Sequence, residues 1–119
     1  MPICDIIAKE LADVLSVIAH PARLRIIEEL SQGEIDVSGL VKLTGLPQAT
    51  VSQHLAALRN RKLVHDRREG RGVFYSLSQP WMADWMLDGL KLIVSEGVYG
   101  SELAKAASKA RRVWLARKK

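Results

Sequence analysis

The chain has 119 residues, 48% hydrophobic and 26% charged, with a net charge of +5 and a single cysteine. That length suits one domain with a modest core. One cysteine excludes an intrachain disulfide and fits a reducing cytoplasm, Asp5 and Glu10 stand where a signal peptide would be basic, and no apolar run approaches the ~20 residues that span a bilayer.

In chain order, Ile6–Ala19 repeats Ile7, Leu11, Val14, Leu15 and Ile18 at helical spacing, which predicts a helix with one broad apolar face. His20-Pro21 breaks it, because a residue before proline is pushed away from the helical region. A second helix is expected over Ala22–Leu30 or Ser31, with Leu24, Ile27 and Leu30 inward and a stop at Gln32-Gly33. Glu34–Asp36 reads as a single β bridge. Val37–Thr44 predicts a third, short helix and Gly45-Leu46 a tight turn. Pro47 starts the next helix, since the first helical position has no intrahelical N–H partner to lose. Val51, Leu55 and Leu58 turn to the core, leaving Gln48, Ala49, Ser52, Gln53 and Ala56 on the other side. Small and amide-bearing side chains of this kind fit a major groove and hydrogen-bond base edges. Arg59, Arg61 and Lys62 follow at the helix end, placed for phosphates. Helix, glycine-containing turn, helix is the helix-turn-helix pattern, and on its own it is equally that of an ordinary amphipathic helix pair.

Leu63–Glu69 and Val73–Ser78 predict two strands around a Gly70-Arg71-Gly72 loop. A hairpin directly after a helix-turn-helix makes a winged helix. The cluster Arg59, Arg61, Lys62, Arg67, Arg68 and Arg71, against only Asp66 and Glu69, lies beside the proposed recognition helix. Arginine at a wing tip enters a minor groove or grips phosphates; the plainer reading is a hairpin whose charges only solubilise it. Pro80–Glu96 predicts a helix that is apolar on more than one face, with Trp81 and Trp85 four residues apart. That implies a second burial surface, most simply a twin subunit, beside packing on the first helix. Gly97–Gly100 breaks the chain, and Ser101 caps a last helix to about Leu115 with Leu103, Ala107, Ala110 and Trp114 on one face. The positive charge is concentrated there: residues 1–100 hold 11 Lys/Arg against 12 Asp/Glu, and residues 101–119 hold 7 against one. This segment, ending in Arg117-Lys118-Lys119, extends the dimer surface, clamps flanking DNA or forms a basic arm, and its one-faced pattern favours the first.

Three stretches then carry a family likeness: His20-Pro21-Ala22-Arg23-Leu24-Arg25-Ile26, Leu46 to Leu58 around Thr50-Val51-Ser52-Gln53-His54-Leu55, and Arg67-Arg68-Glu69-Gly70-Arg71-Gly72-Val73-Phe74-Tyr75. In this order and spacing the chain resembles the ArsR/SmtB family of winged-helix repressors over about residues 6–96. The resemblance implies a mainly α fold with a small β-hairpin, a homodimer through the first and fifth helices, a near-palindromic double-stranded DNA operator, and release by an effector. It implies groove or phosphate contacts by Gln48, Thr50, Ser52, Gln53 and His54, and wing contacts by Arg67, Arg68 and Arg71. For His54 a structural hydrogen bond at the edge of the core is the equal alternative. Arg23 is expected in an internal ion pair, with Glu28 or Asp13, rather than on DNA.

The usual sensor positions depart from the family. Asp36 and Ser38 stand where soft-metal sensors carry thiolates. Gln79-Pro80-Trp81 stands where zinc sensors begin an Asp-x-His set, and the fifth helix has no histidine. Ala57 and Arg61 occupy the recognition-helix cysteine positions of other members. No cofactor or metal is expected, and the effector is unknown. Cys4 as a thiol sensor is a minor option beside an inert apolar role. The expected organisation is a DNA-binding and dimerisation domain over residues 1–96 and a basic helical extension over 97–119. No catalytic constellation marks an enzyme. The rival function class is a winged-helix module that binds protein rather than specific DNA.

Overall fold

The computed structural model describes residues 2–94 and 101–117. The expected Glu96 end of the fifth helix, the Gly97–Gly100 break and the Lys118-Lys119 tail lie outside them. The elements run α1 (Pro2–Ile18), α2 (Pro21–Leu30), β1 (Ile35–Asp36), α3 (Val37–Thr44), α4 (Gln48–Asn60), β2 (Val64–Glu69), β3 (Gly72–Leu77), α5 (Trp81–Val94) and α6 (Ser101–Arg117). α1 begins four residues earlier than its apolar repeat suggests, with Pro2 as its first residue, a position where proline sacrifices no helical hydrogen bond.

The chain divides into two compact units, one ending at Gln79 and the other starting at Pro80. Within the second unit α5 packs with α6. In the first unit Ile26, Ile27, Leu30, Leu40, Val51, Leu55, Leu58 and Val64 form the core. α2 turns Ile26 fully inward and leaves Leu24 half-buried. The three strands form an antiparallel sheet in the order β1-β3-β2. β1 is the expected bridge, pairing Ile35 with Tyr75 and Asp36 with Phe74.

Local chemistry fixes both ends of α3. The Asp36 carboxylate accepts from the Gly39 N–H at 2.8 Å and caps α3, satisfying a donor that the first helical turn leaves open. A Cβ on Gly39 would lie 2.7 Å from Ile35 Cγ2 and 2.9 Å from that carboxylate, so only glycine fits. Gly45, with φ 72°, ends α3 in the left-handed region. Arg25 of α2 donates to the Thr44 and Leu43 carbonyls at 2.8 and 3.2 Å, which fixes the turn to the helix behind it.

In the second unit Met82, Ala83, Leu87, Ala107 and Trp114 are buried, while Leu103 and Ala110 of the expected inner face of α6 are exposed. The Trp81 and Trp85 rings meet edge to face at 6.3 Å. Apolar surface is left open on α1, at Ile3, Ile7, Leu11 and Leu15, and on α5, at Trp81, Trp85 and Leu92. Among the described residues no helix is long and apolar enough to cross a membrane.

Candidate nucleic-acid interface

α4 is anchored by Val51, Leu55 and Leu58, all fully buried. With that stripe fixed, the helical period turns Gln48, Ala49, Ser52 and Gln53 outward, and all four are exposed. Thr50 and His54, four residues apart, are half-buried on one flank of this polar face. The exposed side chains offer amide and hydroxyl donors and acceptors on a rigid helix, the chemistry that reads base edges.

α4 ends in a way its composition does not announce. The Lys62 N–H donates to Arg59 O at 2.8 Å and the Leu63 N–H to Leu58 O at 2.9 Å. This bond pair closes a helix through one left-handed residue, usually glycine. Here the residue is Lys62, with φ 62°, the only non-glycine of positive φ among the described residues. Its neighbours are occupied: Arg59 pairs with Asp66 at 3.4 Å, and Arg61 with Glu10 of α1 at 2.9 Å. Of the three cations expected to wait for phosphates, only Lys62 therefore stands without a carboxylate among the described residues.

The wing is a two-residue turn, Gly70-Arg71, since Glu69 pairs with Gly72 across the hairpin. The expected three-residue loop is shortened because Gly72 joins β3. Gly70 has φ 61° and Arg71 a negative φ, the sign pattern of a turn whose twist matches the strands. Arg71 is exposed at the tip and Arg68 is exposed on β2, both without an acidic partner among the described residues. Arg67 differs. Its guanidinium donates to Glu34 at 2.6 to 3.2 Å and to Glu69 at 2.8 Å, and it lies 5.2 Å from the centre of the Phe74 ring. The bond from Arg67 holds the Glu34 carboxyl below its ordinary range, and the two carboxylates keep Arg67 firmly charged. Arg67 thus ties β2 to the segment before β1.

His54 and Arg23 meet across 31 positions of sequence. Arg23 donates Nε–H to His54 Nδ1 at 3.0 Å and Nη1–H to the Val17 carbonyl at 2.8 Å. Arg23 is therefore internal, as expected, but its partners are an imidazole and a backbone carbonyl rather than Glu28 or Asp13. The His20 ring lies 6.2 Å from that of His54. Burial, then the Arg23 charge, then His20 hold the His54 pKa below its ordinary 6.5. Arg25 and Glu34 escaped the sequence reading because their partners lie 18 and 33 positions away. The Asp36 cap had a legible signal, an Asp directly before a helical run.

Asp36 is engaged as a cap, and among the described residues no group of three His, Cys, Asp or Glu is gathered for an ion. Cys4 is exposed on α1.

Comparison with known proteins agrees with this geometry. The sequence profile of the bacterial regulatory proteins of the arsR family matches residues 20–66, from the start of α2 into β2. The chain is 39% identical over 70 residues to the transcriptional repressor PagR of Bacillus anthracis, covering 58% of this chain and 70% of PagR. It is 35% identical over 95 residues to the transcriptional regulator NmtR of Mycobacterium tuberculosis, covering 80% of this chain and 72% of NmtR. The crystal structure of NolR from Sinorhizobium fredii superposes with a TM-score of 0.68 at 35% identity, over 78% of this chain and 92% of that one.

Proposed function

The chain belongs to the arsR family of bacterial regulatory proteins and is a DNA-binding transcriptional repressor; from that premise we propose that it binds a near-palindromic operator as a homodimer, with α4 of each protomer in a major groove. The observation that carries this reading is the division of α4: three fully buried apolar residues hold it while Gln48, Ser52 and Gln53 face solvent. Those three, with Thr50 on the flank, read base edges. Lys62, Arg68 and Arg71, which have no acidic partner among the described residues, meet phosphates or the minor groove. Arg67 keeps the wing in shape through Glu34 and Glu69.

The dimer rests on the open apolar stripes of α1 and α5. Ile3, Ile7, Leu11 and Leu15 are 44–70% exposed in one protomer, an arrangement that water disfavours and a second copy covers. Two-fold symmetry then sets the half-sites about one DNA turn apart, ~34 Å.

Fluorescence anisotropy with DNA from upstream of the protein's own gene, against scrambled DNA over a salt series, tests the reading. Selective binding that weakens steeply with salt is expected. Weak, equal binding to both duplexes at all salt concentrations favours a module that meets protein.

A further inference from the structure

The polar contact between α2 and α4 has a consequence for DNA binding. An arginine side chain only donates hydrogen bonds. The His54 Nδ1 that accepts from Arg23 Nε–H is therefore unprotonated, and a neutral His54 carries its proton on Nε2. That Nε2 has no partner among the described residues and is not among the buried unpaired atoms, so it meets solvent. His54 lies on the helix whose exposed face includes Gln48, Ser52 and Gln53. The second Arg23 bond, to the Val17 carbonyl in the last turn of α1, leaves the guanidinium little freedom to turn away.

We propose that Arg23 is a positioning residue for DNA binding: it locks His54 in one rotamer and in the Nε2–H tautomer, so that a neutral, outward-facing donor meets a phosphate oxygen of the operator. Protonating Nδ1 would break the bond to Arg23 and set two cations side by side, which keeps the ring neutral. A neutral donor releases no counterion. Its contact therefore adds affinity without adding to the salt slope, unlike the arginine and lysine contacts around it.

The inference rests on the DNA-binding reading, and the test separates the two. With 15N-labelled histidine, two-bond proton–nitrogen correlation of the free protein at neutral pH reads the tautomer of each of three imidazoles, and His54→Gln assigns the signal. A neutral Nε2–H form is expected, changing to a tautomer mixture or a higher titration point in Arg23→Gln. Next, Arg23→Gln, His54→Ala and the double variant are titrated onto a duplex selected from a random pool by the wild-type protein. Each single change is expected to weaken binding roughly 25-fold, a factor of about five at each of two contacts. The double variant should be no weaker than His54→Ala, and all three should keep the wild-type salt slope. If Arg23→Gln does not fold, Arg23→Lys replaces it, with partial retention of the tautomer and of affinity expected. An Nδ1–H or imidazolium signal, additive losses in the double variant, or a shallower slope for His54→Ala overturns the proposal. If the wild-type protein selects no duplex, the DNA-binding reading itself fails, whatever the tautomer.

Discussion

Replacing Lys62 by glycine should make the protein more stable and a weaker DNA binder. Lys62 holds φ 62° immediately after the cap of α4, where the closing bonds from Lys62 and Leu63 demand a left-handed residue. An L residue with a Cβ pays about 1–2 kcal/mol for that conformation. Glycine removes the cost but adds about 0.5–1 kcal/mol of chain entropy to be lost on folding. The net gain is about 0–1.5 kcal/mol, each kcal/mol being roughly 3–6 °C in Tm for a chain of this size. The same change deletes one cation per protomer at the end of α4. In the proposed two-fold dimer bound to DNA that removes two phosphate contacts, so the slope of log affinity against log salt should flatten by about 1.8. Calorimetry and salt-series anisotropy read the two effects separately. Lys62→Asn, which tolerates the left-handed region, should flatten the slope with a smaller gain in Tm. A Lys62→Gly protein that melts lower, or that keeps the wild-type slope, refutes the reasoning.

Further outcomes are expected. Arg71→Gln should flatten the salt slope by about 1.8 per dimer, whereas Arg67→Gln should leave the slope near wild type and instead release Glu34 to titrate in its ordinary range, read by carboxyl NMR. Asp36→Ala should cost about 1 kcal/mol by removing the α3 cap, seen in denaturant unfolding. Leu11→Asp should yield monomers in sedimentation and lose operator affinity, since it places a charge on the open apolar stripe of α1. Because folding lowers the His54 pKa, its stabilising contribution is complete above the unfolded value of 6.5 and is lost as pH falls through the lower folded value. Thermal midpoints should accordingly fall more steeply with acid for wild type than for His54→Gln.

The helix-turn-helix was legible because it is local. Gly45 and the Val51, Leu55, Leu58 spacing lie within one stretch of 14 residues, and the hairpin around Gly70 is closed by chain neighbours. Periodicity also exposed Gln48, Ser52 and Gln53 correctly, since a buried stripe fixes the opposite face. Partner choice was not legible. Arg23, Arg61 and Arg67 meet residues 31, 51 and 33 positions away, and no helical or strand period carries that information. Nor did composition separate Arg67 from Arg68: neighbours on a strand point to opposite faces, and only the register shows which of them finds Glu34.

The central claim is that the exposed face of α4 reads base sequence. Binding-site selection from a random duplex pool, run with the wild-type protein and with Gln53→Ala, tests it most directly. The wild type should enrich an inverted repeat with half-sites about one DNA turn apart. Gln53→Ala should relax the preference at one position of each half-site while keeping the rest. A wild-type pool no richer in any sequence than the starting one would contradict the account, as would a Gln53→Ala selection with an unchanged motif.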